Sequence, residues 1–141
     1  MKKKTNTIDE AMKYIDYIEG ERWAVIPNHS QYLISNYGRI FGFAHKAIKD
    51  IKVYKGQKYL VTRLYDDNGV LSNSKLVHRL VAEVFCDNPE PELKTVVHHI
   101  NCNSLDNRAE NLIWLTPQEH TEIHNQIRAE RKRRELMDNE A

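Results

Sequence analysis

The chain has 141 residues, the length of one ordinary domain or of two very small ones. Its 40% apolar, 29% charged and 9% aromatic residues are a globular composition, which excludes a fully disordered chain, and no apolar run approaches the roughly 20 residues that span a bilayer. Lys and Arg total 21 against 20 for Asp and Glu, and a net charge of +1 does not by itself advertise a nucleic-acid partner. The basic start MKKKTNTIDE has no apolar stretch behind it, so no secretory signal is expected. Cys86 and Cys102 lack C-x-x-C spacing, and a reduced, cytoplasmic setting with no membrane is the expectation.

Thr7-Ile8-Asp9-Glu10 has the form of a capping box, and Ile8, Ala11, Met12, Ile15 and Ile18 fall on one helical face. With Gly20 as a left-handed stop, the spacing predicts a helix over about residues 8–19. The period then changes. Trp23–Ile26, Tyr32–Ile34, Arg39–Phe41, Val53-Tyr54 and Tyr59–Tyr65 are β-prone runs separated by turn residues. Asp66-Asp67-Asn68-Gly69 is a hairpin turn signal, with Val70-Leu71 starting the return strand. Leu76, Leu80, Val81, Val84 and Phe85 are spaced for a second helix, after which Asp87–Pro91 breaks the chain.

Beyond the break come an apolar strand from Thr95 to Ile100, a polar loop from Asn101 to Asn111 and a second apolar run from Leu112 to Leu115. Thr116-Pro117-Gln118-Glu119 is the strongest helix start in the chain: an N-cap Thr, Pro at the first helical position and Glu at the third. That helix can run through the charged RAERKRRE stretch. The fold class read from these elements is α+β, with an N-terminal helix in 1–20, a small antiparallel-sheet module in 21–88, a strand–loop–strand–helix unit in 89–136 and a tail in 137–141.

Histidine is unevenly placed. Seven in 141 residues would put about 1.3 in any 27-residue window, yet the window from 98 to 124 holds four. His120 and His124 are four apart on the capped helix and share a face. His98 and His99 are adjacent on a strand and point to opposite sides, so one can turn toward the helix pair while the other takes a different task. Two helical imidazoles and one from a strand leave coordination positions open, as a catalytic metal requires. The remaining histidine, beside the metal but not on it, can take a proton from water.

These residues also resemble a known family. His98-His99-Ile100-Asn101, then Asp106-Asn107-Arg108-Ala109-Glu110-Asn111-Leu112-Ile113-Trp114-Leu115-Thr116, then Glu119-His120 and His124, is similar to the HNH nuclease motif, and in particular to phage-type and homing endonucleases. Trp23-x-x-Ile26, Tyr32 to Ile40 and Val77 to Phe85 resemble the small module that commonly precedes such nucleases. The resemblance implies a ββα-metal fold and a DNA endonuclease encoded by a phage or mobile element, acting in the bacterial host cell. It implies His99 as the general base, and Asn111 as the residue that holds the loop and orients His99. His98 and His120 would ligate a divalent metal, with His124 a third ligand or a phosphate contact, and the products would carry a 5′ phosphate and a 3′ hydroxyl.

Two positions depart from many relatives: His98 stands where Asp is frequent, and His120 where Asn is frequent. Magnesium and manganese are the expected metals by resemblance, while the softer all-histidine set also admits zinc or nickel. Cys102 stands where relatives often have Gly. Candidate DNA contacts are Arg39, Arg79, Arg128, Arg131 and Lys132, each of which could equally be a solvated surface charge. The competing reading is a catalytically idle DNA-binding protein stapled by its metal. A monomer would nick one strand and a two-fold homodimer would cut both.

Overall fold

The period-two alternation after residue 22 forms an antiparallel sheet that buries both of its faces. The computed structural model describes residues 6–140, so the lysines of the basic leader and the last residue of the tail lie outside it. Strands β1 (Trp23–Ile26), β2 (His29–Ser35), β3 (Ile40–Gly42) and β4 (Ala47–Ile48) are neighbours in that order, with Leu33 opposite Phe41 and Ile34 opposite Ile40. Successive side chains face opposite ways. Leu33 and Phe41 therefore pack with Ala11 and Ile15 on one face, while Ile34 and Ile40 join the larger core on the other.

The first helix is shorter than its periodicity implies. Thr7 Oγ1 accepts from the Glu10 amide at 3.2 Å, and α1 covers only Ile8–Met12 instead of 8–19. The chain turns after Lys13, carrying Ile15 down to Leu33 and Phe41. Further on, the Asp16 carbonyl accepts from Arg39 Nη2 at 3.1 Å and the Glu19 carbonyl from Tyr37 Oη at 2.9 Å. Tertiary partners thus take the acceptors a continuing helix would use, in a Tyr- and Ile-rich stretch of modest helix propensity.

The middle of the chain has less ladder than expected. Val53-Tyr54 is not a strand, and of Tyr59–Tyr65 only β5 (Val61–Thr62) forms a ladder, with β6 (Lys75–Leu76). The Asp66–Gly69 turn does form: the Gly69 amide donates to the Asp66 carbonyl at 2.9 Å, and Tyr65 bridges Leu71. Around it, side chains replace ladder bonds, as where Ser72 Oγ accepts from the Leu64 amide at 3.0 Å.

Helix α2 (Val77–Phe85) follows β6 and is the element both halves share. Its Val77, Leu80, Val81 and Ala82 lie in one core with Ile26, Ile34, Ile40 and Leu64 from the upstream part, and with Val97, Leu112 and Trp114 from the downstream part. The break at Asp87–Pro91 interrupts the secondary structure, but this core continues across residue 88/89. Strands β7 (Val96–His99) and β8 (Leu112–Leu115) pair antiparallel and lead into α3 (Pro117–Glu140), which extends past the expected limit of 136.

Candidate active site

The register of β7 against β8 decides which way the paired histidines face. His98 lies opposite Ile113 and His99 opposite Leu112, and both imidazoles are buried. A reciprocal capping box starts α3: the Glu119 amide donates to Thr116 Oγ1 and the Thr116 amide to Glu119 Oε1, each at 3.0 Å. One turn on, His120 and His124 face His98. The ring centroids of His98 lie 5.5 Å from His120 and 5.4 Å from His124, and the two helical Nε2 atoms are 2.9 Å apart.

Ligand atoms of these three imidazoles all fall within 4.8 Å of one another. Nitrogens about 2.0 Å from one tetrahedral ion stand roughly 3.3 Å apart, so the trio fits a divalent metal with small adjustments. Among the described residues, no carboxylate or thiolate joins the cluster. Burial, and then the neighbouring imidazoles His120, His124 and His99, push the pKa of His98 below the ordinary histidine value. His120 is lowered by burial, His124 and Lys58. Both effects favour the neutral imidazole that a metal requires.

His99 points the other way. Its Nε2 is hydrogen-bonded to Asn107 Oδ1 at 2.9 Å, and its ring packs against both His78, 4.7 Å away, and the stacked Tyr59, 6.1 Å away, which also touch each other. His78 is itself buried, and burial together with His99 and Arg79 pushes its pKa down to about 4.

Asn111 holds the loop but makes no hydrogen bond to His99, so the expected hydrogen bond that would orient that ring is not formed. Its Oδ1 accepts from the Asn101 amide at 3.0 Å, while its Nδ2 donates to Asn101 Oδ1 and to the Asp106 carbonyl, both at 2.9 Å. Those bonds cinch the two ends of the 101–111 loop together. The side chain that touches His99 is Asn107, four residues earlier in the same motif. Cys102 adopts φ 61° with its amide on the His99 carbonyl at 2.9 Å, a left-handed turn that explains why glycine suits this place. Its thiol is exposed and outside the histidine trio.

One cleft of about 210 Å³ collects these groups: His98, His99, His120, His124, Cys102 and Ser104, with Arg128 and Arg131 from α3 and Lys58 and Tyr59 from the upstream part. Lys58 and Tyr59 sit in an irregular loop with no motif spacing, so nothing local in the sequence marks them as site residues. Lys132 lies exposed further along α3. Arg39 and Arg79, two of the candidate DNA contacts, are engaged elsewhere. Arg39 pairs with Glu21 and Asp16 and lies over Trp23; Arg79 donates to the Thr95 carbonyl at 2.9 Å and lies over Trp114. Each guanidinium group thus has partners within the chain.

Residues 75–122 match the HNH endonuclease family. That stretch of the chain belongs to the HNH endonuclease family. It is 37% identical over 110 residues to an uncharacterised HNH endonuclease of Acanthamoeba polyphaga mimivirus, across 74% of this chain and 26% of the relative. It is 34% identical over 101 residues to the H-N-H endonuclease F-TflII of Escherichia phage T5, across 71% of this chain and 50% of the relative. The chain thus spans half or less of these relatives. The solved structure of the HNH homing endonuclease I-HmuI, described in terms of DNA binding and cleavage, superposes with a TM-score of 0.63 at 28% identity. That alignment covers 77% of this chain and 59% of the other, so the likeness to that structure extends well beyond the family match. No helix among the described residues is long and apolar enough to cross a membrane.

Proposed function

We propose that this chain is a divalent-metal-dependent DNA endonuclease of the phage type that hydrolyses phosphodiester bonds with a histidine-activated water. The observation that carries the reading is the single cleft in which a three-imidazole cluster, a separately held imidazole and cationic side chains converge. His98, His120 and His124 would hold the metal. A divalent cation there supplies positive charge to the scissile phosphate and the leaving 3′ oxygen. Three nitrogen donors favour a borderline ion such as zinc or nickel over the harder magnesium and manganese, which prefer oxygen.

His99 removes a proton from the attacking water at Nδ1, the ring nitrogen left free by the bond from Nε2 to Asn107. Water oxygen bonds to phosphorus as the bond from phosphorus to the 3′ oxygen breaks; the leaving oxygen takes a proton from solvent water, His99 returns its own to solvent, and the ends are a 5′ phosphate and a 3′ hydroxyl. Asn111 acts on the reaction only through the loop it closes. Arg128, Arg131 and Lys58 border the cleft and would contact flanking phosphates, with Lys132 continuing the helical track.

The test is plasmid nicking with manganese, zinc, nickel or magnesium, against a chelator control. His99→Ala is expected to abolish cleavage while DNA binding stays close to wild type, and unchanged cleavage would overturn the assignment. Calorimetry on His98→Ala is expected to show at least tenfold weaker metal binding; undiminished affinity would remove His98 from the ligand set.

A further inference from the structure

Among the described residues, His99 makes one hydrogen bond through its ring, and it goes to Asn107. An amide oxygen only accepts, so the proton sits on Nε2 and the lone pair on Nδ1. His78 and Tyr59 pack against the ring and restrict its plane, but ring packing does not choose between tautomers. Asn107 therefore decides which ring nitrogen carries the proton.

Asn107 is only 4% exposed, and the upstream sheet fixes its position. Gly38, at φ +87°, lies directly against it: a Cβ there would be 3.2 Å from Asn107 Cβ and 3.4 Å from the Asn107 carbonyl oxygen. Two residues beyond Asn107, the Ala109 amide donates to the Asn36 carbonyl at 2.7 Å. Asn36 is anchored in turn, accepting from the Arg22 amide at 2.6 Å and donating to the Gly20 carbonyl at 3.1 Å. Ser35 Oγ accepts from the Tyr37 and Arg39 amides, both at 3.1 Å, and so closes the turn.

We infer that Asn107 is a positioning residue that holds His99 in the Nε2–H tautomer, and that the Ser35–Gly38 turn is the socket that seats Asn107. The inference rests on the reading of His99 as the base, but its primary readout does not depend on cleavage. The upstream sheet then takes part in the reaction through a chain of contacts from Gly38 to Asn107 to His99.

The experiment is a long-range ¹⁵N–¹H spectrum of the full chain labelled in histidine nitrogen, with the His99 signals assigned by their loss in His99→Gln. The unaltered protein, without added metal or DNA, is expected to show a single Nε2–H tautomer. A proton on Nδ1 would overturn the inference whatever any variant does. Asn107→Asp keeps an acceptor and is expected to retain the tautomer. Asn107→Ala is expected to mix the tautomers and lower kcat for plasmid nicking with manganese on the order of a hundredfold, while KM for DNA stays within about twofold. A single Nε2–H tautomer and a kcat within threefold of wild type in Asn107→Ala would also overturn it. Gly38→Ala is expected to mix the tautomers to a lesser degree, and an unmixed signal there would remove the socket. Loss of cleavage in Asn107→Ala alongside full cleavage in His99→Ala would sink the base assignment and leave the tautomer result standing.

Discussion

Arg39 shows how strongly the surroundings of a cation decide its role. Its guanidinium is hydrogen-bonded to Glu21, with Nε to Oε2 at 2.8 Å, and it also reaches Asp16 Oδ1 at 2.8 Å. The Glu21 side chain is 2% exposed, the Arg39 side chain 21% and the Asp16 side chain 76%. Arg39→Met keeps much of the packing over Trp23 but strands the Glu21 carboxylate away from water. Removing one member of a buried pair costs about 3–5 kcal/mol, and the partial exposure of Arg39 places the expected loss near the lower end, about 3 kcal/mol. The Asp16 side chain is exposed, so Asp16→Asn is expected to leave stability close to that of the unaltered chain. The double variant Arg39→Met with Glu21→Leu is expected to recover a large part of the loss, because no charge is then left buried. Urea unfolding at pH 7 measures all four chains. If instead Arg39 grips DNA, Arg39→Met would lower the salt slope of DNA binding by nearly one phosphate with little change in stability, and that result would refute the argument.

Three further outcomes are expected. The folded-state pKa of His78, about 4, lies below its ordinary value of 6.5, so the unfolded chain binds the extra proton first as pH falls. The contribution of His78 is complete above pH 6.5 and drains between pH 6.5 and 4 at up to about 1.4 kcal/mol per pH unit; His78→Leu should flatten that part of the stability profile. In DNA titrations across salt, Arg128→Ala with Arg131→Ala should lower the slope by nearly two, whereas Arg79→Ala should leave it unchanged. Cys102→Gly relieves a left-handed non-glycine residue and should raise stability by about 0.5–1 kcal/mol in thermal unfolding, while a loss would mean that its side chain is needed.

The downstream half was legible because its signals are local. The Thr116–Glu119 capping box starts α3 as its residues imply, and i, i+4 spacing brings His120 and His124 to one face. Strand alternation likewise separates His98 from His99. The rest depends on contacts distant in sequence. Ile15 abandons its helix for Leu33 and Phe41, and no pattern within residues 8–19 announces them. Asn107 and Asn111 occur in the same loop with the same chemistry. Which one meets His99 depends on Gly38, about seventy positions upstream, pressing against Asn107. Arg39 and Arg79 read as free cations until Glu21, Asp16 and Thr95 fold around them.

Helix α2 has a consequence for how such a chain can be divided. Because one helix fills the core of both the sheet and the ββα unit, neither half owns a complete interior. Excising residues 89–140 would expose the inner side chains of Val97, Leu112 and Trp114 to water, and removing them would leave the sheet equally bare. The protein should melt as one cooperative unit. A lineage that exchanged its nuclease half for another would have to carry Val77–Phe85 across with it, so the helix marks where recombination between relatives can leave a folded product.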